Sequence, residues 1–221
     1  MKTVGVFGKD GRMGREIVNL LEQKPNQWRV VGFDKNSTAL LPTADIWIDF
    51  STPAGLAALL AETEASKVPI VSGTTGLGLE EMNGLKLASS ARPILWSPNM
   101  SLGIAWMKSV LPLLAKLQGF DIQVLDFHHK RKLDSPSGTA KLLQDTLTQS
   151  GIETKGDPLA FRLGGIYGVH KVFAVSESEW ITIEHSALNR TVFAEGAVLA
   201  ANWLIQQSPG MYSIESMLGD L

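Results

Sequence analysis

The chain contains no cysteine, and this absence excludes several kinds of chemistry. Disulfide frameworks, zinc–thiolate sites and thiol nucleophiles all need that residue. Long apolar runs are also lacking, because Lys, Arg, Glu or Asn interrupts each run before the roughly 20 residues that a membrane span requires. No secretion signal is visible at the N-terminus. We therefore expect a soluble, cytoplasmic protein.

An excess of charge of one sign is missing as well. The formal net charge is -2, so the chain as a whole does not attract nucleic acid or an anionic membrane. We expect neither as a partner, and any affinity for anions must come from a local cluster of basic residues. Hydrophobic residues make up 44% of the 221 positions, which is enough to build one large core or two smaller ones.

Residues 3 to 97 alternate between short apolar runs and longer amphipathic stretches. The apolar runs are typical of strands and read TVGVF, RVVGF, DIWIDF, PIVSG and PILW. Helix start signals occur near Gly11, Pro53 and Gly78. This order predicts repeated βα units in a Rossmann-type, doubly wound parallel sheet.

The alternation of short apolar runs with amphipathic stretches ends after Pro98. A predicted helix over residues 101–116 is followed by the strand segment QVLDFHH, a helix from about Gly138, and the strand segments HKVFAVSE and EWITIEHSAL. Successive strands indicate a second, α+β domain with a mixed sheet. The apolar helical pattern of the tail could return to the first half. We predict a dinucleotide-binding domain at 1–99 with a return segment at 190–221, and a substrate-binding and oligomerisation domain at 100–189.

A glycine-rich loop follows the first predicted strand. Gly8, Gly11 and Gly14 are three residues apart and lie between this strand and an amphipathic helix. In dinucleotide-binding domains such glycines let the backbone approach the pyrophosphate, whose charge lies at the helix N-terminus. An ordinary strand-to-helix turn could also contain them, but the flanking elements favour nucleotide binding.

Asp34 follows the next predicted strand about 20 residues after Gly14, the separation expected of the carboxylate that binds the adenosine ribose. A carboxylate there favours NAD, whereas the adjacent Lys35, with Arg12, would attract the additional phosphate of NADP. We therefore expect the chain to use both NADH and NADPH. The loops VSGTTG and WSPNM also follow predicted strands, where open α/β sheets bind ligands.

The densest set of ionisable side chains lies in the segment DFHHKRKLDSPSGTAKLL. His128, His129, Lys130, Arg131 and Lys132 are adjacent, and their mutual repulsion would lower the pKa values of the histidines and lysines. A histidine that titrates near neutrality suits acid–base catalysis. The cluster therefore predicts an acid–base site for a negatively charged substrate.

The turn after this cluster has the pattern of a helix start. Ser135 or Ser137 could cap the helix and Pro136 suits its first turn. Gly138 and Thr139 could then donate hydrogen bonds to a carboxylate. A dicarboxylate would suit the combination of cations and helix N-terminus.

The basic segment has three other interpretations: a solvated loop, a nucleic-acid patch, and a metal site built from His128, His129, His170 and His185. A solvated loop is the default for a charge run. Nucleic-acid binding is disfavoured because the run lacks interleaved aromatic residues. Metal binding is disfavoured because adjacent histidines point in different directions and no carboxylate-bearing zinc motif accompanies them.

Several motifs together resemble the 4-hydroxy-tetrahydrodipicolinate reductases, also called dihydrodipicolinate reductases. They are GKDGRMGRE, DFSTP, SGTTG, PNMSLG, HHKRKLDSPSGTA and RTVFAEGAVLAANWL, and they occur in the family's order over essentially the whole chain. The resemblance implies NADH- or NADPH-dependent reduction of 4-hydroxy-tetrahydrodipicolinate to tetrahydrodipicolinate, on the route to diaminopimelate and lysine. It also implies a homotetramer joined through the sheet of the second domain.

The same resemblance implies roles for individual residues. His128 would donate or accept a proton, Lys132 would be the second acid, and His129, Gly138 and Thr139 would bind the substrate's carboxylates. Arg190 would face the cleft, and no metal is expected. The cofactor would contact a larger set of residues: Gly8, Lys9, Asp10, Gly11, Arg12, Met13, Asp34, Lys35, Gly73, Thr74, Thr75, Ser97, Pro98, Asn99 and Met100.

Four positions depart from the family signature. Gln123 and Asp126 stand where two glutamates are usual before the acid–base histidine, and Lys130 with Arg131 replaces the more familiar Arg-His pair. These departures leave His128, Lys132 and the PSGTA turn intact, so they bear on fine tuning rather than on the reaction.

A nucleotide-binding domain of this kind also occurs in proteins with other functions. Aspartate-semialdehyde dehydrogenase has this style of domain but needs a cysteine nucleophile, which the chain lacks. Homoserine dehydrogenase needs no thiol, yet it would not predict HHKRK followed by PSGTA. A redox regulator that binds NAD(P) without catalysis would need no acid–base pair at all.

Overall fold

The chain folds into two units, and each has its own sheet. The computed structural model describes residues 1–34 and 41–220. The first unit consists of Met1–Leu102 with Thr191–Leu221, and the second is Gly103–Arg190. The first unit is therefore built from two separate stretches of chain, whereas the second is continuous.

Parallel strands form the sheet of the first unit, as predicted. In chain order they are β1 (Lys2–Phe7), β2 (Trp28–Phe33), β3 (Ile46–Asp49), β4 (Ile70–Ser72), β5 (Pro93–Trp96) and, after the second unit, β10 (Gly210–Tyr212). Across the sheet their order is β10-β5-β4-β3-β1-β2. The first five strands coincide with the predicted apolar runs. The sequence pattern did not predict β10, because three residues are too short to show alternation.

Four helices of the first unit begin where the sequence predicts, and the short terminal helix α7 was not predicted. They are α1 (Arg12–Glu22), α2 (Pro53–Glu62), α3 (Leu79–Ser89), α6 (Thr191–Leu204) and a terminal α7 (Ile214–Asp220). The hydroxyl of Thr52 caps α2 by accepting a hydrogen bond from Gly55 N, and Pro53 occupies the first turn. Contacts join α1 to α6 and α2 to α3. These two pairs cover opposite faces of the sheet, as right-handed crossovers require.

The strand order reverses between β1 and β3. β2 follows β1 on one side, and the chain then crosses to the other side for β3, β4 and β5. In open α/β sheets this reversal opens a crevice at the carboxyl ends of the strands, and ligands bind there. The glycine loop after β1 and the segment after β3 lie at this reversal.

The second unit has a mixed sheet, which confirms the predicted fold class. Its strands are β6 (Asp121–His128), β7 (Leu159–Arg162), β8 (Gly168–Val175) and β9 (Trp180–Ala187), in the order β7-β6-β8-β9. β6 runs parallel to β7 and antiparallel to β8. α5 (Gly138–Gln149) covers one face, where Leu143 and Leu147 pack against Ile122 and Val124 of β6.

The helix predicted over residues 101–116 is wrong in one respect. The α-helix α4 spans only Leu102–Val110, and residues Leu111–Lys116 form a 3-10 helix. Pro112 explains the change, because its ring removes the N–H that would continue the α-helical hydrogen bonds. Within the described residues, no helix combines the length and the apolar composition needed to cross a membrane.

The tail helix α6 packs so closely on the first unit that glycine is required at one position. A Cβ added to Gly196 would lie 1.8 Å from the carbonyl oxygen of Met100, which is backbone and cannot rotate away. Four alanines of the same helix are fully buried: Ala194, Ala197, Ala200 and Ala201. Small residues therefore let α6 lie directly on the rest of the unit.

We expect Gly196→Ala to lower the free energy of unfolding by about 3 kcal/mol, the upper range for overpacking a core. The control is Gly84→Ala in α3, where the nearest atom to the added Cβ is 4.0 Å away. That change should raise stability by about 0.5–1 kcal/mol, because alanine is the better helix former. Urea unfolding followed by tryptophan fluorescence measures both, and equal midpoints for Gly196→Ala and the wild type would contradict the packing argument.

Candidate active site

The predicted cofactor residues of the first unit lie along one edge of its sheet. Residues 8–13 follow β1, Asp34 follows β2, residues 73–75 follow β4, and residues 97–100 follow β5. Because these strands are parallel, their carboxyl ends meet at the same edge. Lys35 lies outside the described residues.

The glycine loop approaches β3 too closely for a side chain. Gly8 has φ +82, and a Cβ on it would lie 2.8 Å from the carbonyl oxygen of Phe50. A Cβ on Gly14 would lie 2.2 Å from the oxygen of Gly8. Gly11 caps α1 without a side-chain hydrogen bond. The bare turn at the start of α1 fits the pyrophosphate of a dinucleotide.

Asp34 is joined to the glycine loop. Its Oδ2 accepts a hydrogen bond of 3.2 Å from Asp10 N, and Phe33 O accepts one of 2.9 Å from Gly8 N. Lys9 Nζ lies 2.8 Å from Asp10 Oδ1. The structure therefore brings the predicted ribose carboxylate next to the predicted phosphate loop.

Asp49 is a buried carboxylate at the end of β3 that the sequence analysis did not single out. It accepts hydrogen bonds from Ser51 Oγ, Ser72 Oγ (2.7 Å) and Thr74 Oγ1 (2.8 Å), and from Ser51 N (3.1 Å). Burial raises the pKa of Asp49, although these hydrogen bonds oppose the shift. Asp49 thus joins the loop after β3 to the loop after β4. The DFSTP motif contained the signal, a carboxylate at a strand end followed by hydroxyls.

Some of the predicted cofactor side chains point into the protein. Thr74 and Ser97 are buried, the first bonded to Asp49 and the second donating to Asn99 O at 2.7 Å. Met100 is 1% exposed and packs beneath α6. We expect these three to reach a ligand through their backbone, while Thr75 and Pro98 are exposed.

In the second unit, Asp126 and His128 share the buried face of β6, because they are two residues apart in a strand. Asp126 Oδ1 contacts His128 Nδ1. Asp126 Oδ2 accepts hydrogen bonds from Ser137 N (2.6 Å) and from the guanidinium of Arg162 (3.2 Å). One fully buried carboxylate therefore touches the predicted acid–base histidine, the start of α5 and strand β7.

Burial alone would raise the pKa of Asp126. The hydrogen bonds from His128 and Ser137 N and the charges of His128 and Arg162 outweigh it, so the pKa lies well below its usual range. Asp126 is a carboxylate at any physiological pH. In the sequence, Asp126 stands out only as a departure from the family signature.

The start of α5 is held from two sides. Ser137 is the cap, accepting from Ala140 N at 3.2 Å, and its Oγ lies 3.2 Å from His170 Nε2. Of the two predicted caps, Ser137 is therefore correct. Pro136 precedes the cap in a cis peptide bond, so the prediction that it lies in the first turn is wrong. Gly138 is exposed, and a Cβ added there would meet nothing within 4 Å.

Lys132 and His129 lie in the segment between β6 and α5. Lys132 Nζ is 2.8 Å from Asp134 Oδ1, and Lys132 N donates to His129 O. The pKa of His129 is lowered by partial desolvation and by the positive charges of Arg131, His128, Lys132 and Arg190, which agrees with the predicted repulsion. Arg190 itself lies over the ring of Tyr167 at 5.7 Å.

His170 extends the polar row across the sheet. It pairs with Asp126 of β6 and with His185 of β9 in the strand register. Burial and the charge of His128 lower the pKa of His170 to about 4. Asp126, His128 and His170 are close enough to share a cation. We interpret them as an ion-pair network, because Arg162 and Ser137 N already contact Asp126.

The parallel sheet with its glycine loop, and the buried acid–histidine pair beside a helix start, define an NAD(P)-dependent oxidoreductase. Family models agree: "Dihydrodipicolinate reductase, N-terminus" matches residues 2–100 and "Dihydrodipicolinate reductase, C-terminus" matches residues 103–218. The chain belongs to the dihydrodipicolinate reductase family.

Individual relatives are similar over nearly the whole chain. A 4-hydroxy-tetrahydrodipicolinate reductase of Bdellovibrio bacteriovorus is 43% identical, covering 97% of this chain and 95% of the relative. One of Campylobacter lari is 36% identical, covering 99% and 100%. Among solved structures, the dipicolinate-bound dihydrodipicolinate reductase from Paenisporosarcina sp. TG-14 has a TM-score of 0.80 at 21% identity, covering 98% of this chain and 99% of that one. At that identity the structural likeness supports the fold alone.

The lowered pKa of His170 predicts a pH-dependent stability. The ordinary histidine pKa is 6.5, so His170 binds a proton below about pH 6.5 in the unfolded chain. In the folded protein it binds that proton only below about pH 4. The free energy of unfolding should therefore fall by about 3 kcal/mol as the pH falls from 6.5 to 4. Asp126, with its lowered pKa, affects stability only below its ordinary value of 3.8.

Denaturant unfolding of the wild type and of His170→Gln between pH 4 and pH 7 measures this contribution. The variant should lose most of the slope in that window, because glutamine does not titrate. His185→Gln is the control. His185 is only half-buried, so burial lowers its pKa less than that of His170, and the variant should keep most of the slope. An unchanged slope in His170→Gln would refute the assignment.

Proposed function

We propose that the chain reduces 4-hydroxy-tetrahydrodipicolinate to tetrahydrodipicolinate, with loss of the 4-hydroxyl group as water and oxidation of NADH or NADPH, in the biosynthesis of diaminopimelate and lysine. The observation that supports this most strongly is the buried Asp126–His128 pair beside the start of α5, in a chain that is 43% identical to a 4-hydroxy-tetrahydrodipicolinate reductase over nearly its full length. The fold supplies a nucleotide-binding edge in the first unit and acid–base groups in the second.

The first unit would hold the cofactor through its glycine loop. Gly8 and Gly14 leave room for the backbone to approach the pyrophosphate, and the start of α1 stabilises its charge. Asp34 would accept hydrogen bonds from the ribose, and Arg12 is exposed and available to an additional phosphate. The reduced nicotinamide supplies the hydride.

The second unit would bind and protonate the substrate. Gly138 and Thr139 at the start of α5, with His129, would bind the carboxylates of a small dicarboxylate. Lys132 lies on the segment between β6 and α5 and would stabilise the developing negative charge, and His128 would exchange the proton. These roles need no metal ion.

We further propose a cytoplasmic homotetramer joined through the outer face of the second unit's sheet, which is the face that α5 does not cover. The absence of cysteine suits a reducing compartment. On the outer face, Phe127 stacks on Phe161 and Phe173 contacts Trp180. Phe161 is 40% exposed and Trp180 is 63% exposed. Aromatic residues on an exposed sheet face are typical of an interface core.

Turnover tests the function directly. The purified chain, with substrate generated in place from pyruvate and aspartate semialdehyde by the preceding enzyme, should oxidise NADH and NADPH, followed as loss of nicotinamide absorbance. His128→Gln should retain NADH binding while kcat falls by about 100-fold or more. The ratio of the NADH and NADPH rates shows whether repulsion by Asp34 or attraction by the neighbouring basic residues prevails at the additional phosphate of NADPH.

Lys132→Ala and Lys155→Ala form a matched pair for this assay, because each lysine pairs with an aspartate at 2.8 Å. The first should impair both substrate binding and rate, and the second should do neither. Cofactor binding without turnover by the wild type would instead favour the redox regulator or another dehydrogenase.

The mass in solution tests the assembly. Light scattering should give about four times the 23.9 kDa of one chain. Trp180→Asp should lower this mass, because it introduces a charge into the proposed interface. Leu79→Asp is the control, since Leu79 is 85% exposed on α3 of the first unit. A monomeric wild type would refute the tetramer.

A further inference from the structure

The two ring nitrogens of His128 have different surroundings: Nδ1 faces Asp126 and Nε2 does not. Nδ1 contacts Asp126 Oδ1. Nε2 lies on the side of Gly168, where a Cβ added to the glycine would be 3.0 Å from it. Gly168 therefore provides the space that keeps Nε2 clear of a side chain.

Asp126 has no freedom to turn away from His128. It is fully buried, and its second oxygen is held by Ser137 N at 2.6 Å and by Arg162 at 3.2 Å. Arg162 is fixed in turn, because it also donates to Asp134 O at 2.6 Å. Strand β6, which carries Asp126, the start of α5 and the end of β7 thus together set the direction in which Oδ1 points.

A carboxylate can only accept hydrogen bonds. A neutral imidazole carries one N–H, and that proton is most stable on the nitrogen that faces a carboxylate. His170 does not compete for this position, since its Nε2 is 3.9 Å from Asp126 Oδ1 and 3.2 Å from Ser137 Oγ.

We propose that Asp126 is the positioning residue that keeps the proton of neutral His128 on Nδ1, so that Nε2 is the atom that exchanges a proton with the substrate. Through Ser137 N, the same carboxylate fixes the start of α5, where the substrate's carboxylates would bind. One side chain therefore sets both the tautomer of the acid–base residue and its place relative to the carboxylate site. This inference rests on the proposed function only for its kinetic readout.

The tautomer can be observed without turnover. Long-range ¹H–¹⁵N spectra of protein labelled with ¹⁵N-histidine distinguish a protonated ring nitrogen from a bare one, and His128→Gln identifies the signal. Neutral His128 should carry its proton on Nδ1 in the wild type. In Asp126→Asn the amide oxygen should take the place of Oδ2, where Ser137 N and Arg162 donate, so that the NH₂ group faces Nδ1 and the proton moves to Nε2.

Kinetics provide the second readout. Asp126→Asn should lower kcat by about 100-fold or more, because the wrong nitrogen carries the proton. Asp126→Glu should keep the Nδ1–H form and recover much of the rate, since the longer carboxylate still accepts from that nitrogen. Asp121→Asn, on the same strand but paired with Lys155 on the surface, is the matched control and should change neither readout.

The outcomes separate this inference from the proposed function. A wild type with the Nε2–H form overturns the inference whatever the variants do, including the case in which Asp126→Asn fails to fold. Turnover by the wild type together with unchanged kcat and tautomer in Asp126→Asn also overturns it. A wild type that shows the Nδ1–H form but no turnover refutes the proposed reaction and leaves the positioning role intact.

Discussion

A carboxylate buried in a protein needs hydrogen-bond donors or cations around it, because an unpaired charge in the interior costs far more than folding can offset. Asp126 Oδ2 accepts hydrogen bonds from Ser137 N and Arg162, and Oδ1 contacts His128 Nδ1; each of these partners comes from a different part of the second unit. The requirement to satisfy one charge thus orders the end of β6, the end of β7 and the start of α5 together. The candidate acid–base site exists because these three places are held around the same two oxygens.

The first unit uses the same principle in a milder form. Asp49 is also buried at a strand end, but its donors are neutral hydroxyls and a backbone N–H, and the net shift of its pKa is upward because burial prevails, whereas the pKa of Asp126 is lowered. Hydroxyls can hold either the charged or the protonated acid, whereas Arg162 and His128 favour the charged form of Asp126. Asp49 therefore joins two loops, whereas Asp126 also places a negative charge beside the predicted acid–base histidine.

The sequence predicted most of the first unit because β1 to β5 are short apolar runs ended by a turn residue, and α1, α2 and α3 each have a local start signal. β7 was not predicted, since its four residues gain their strand character by pairing with β6. The glycine loop, Asp34 and the basic segment could be found from local spacing. The roles of Asp126, Arg162 and His170 could not, because they depend on the pairing of β6 with β7 and β8, which residue order alone does not give. Burial of Met100 likewise depends on the distant helix α6.

The division of the chain has a consequence for biosynthesis on the ribosome. α6, β10 and α7 complete a unit whose other strands and helices precede Leu102 in the chain, and α6 supplies it with fully buried residues. That unit cannot close its core until the second unit has been synthesised, whereas Gly103–Arg190 is continuous and can fold as soon as it emerges. The part that carries the predicted acid–base groups is thus free to fold first, and the nascent parallel sheet must stay incomplete, with apolar surface exposed, through the middle of translation.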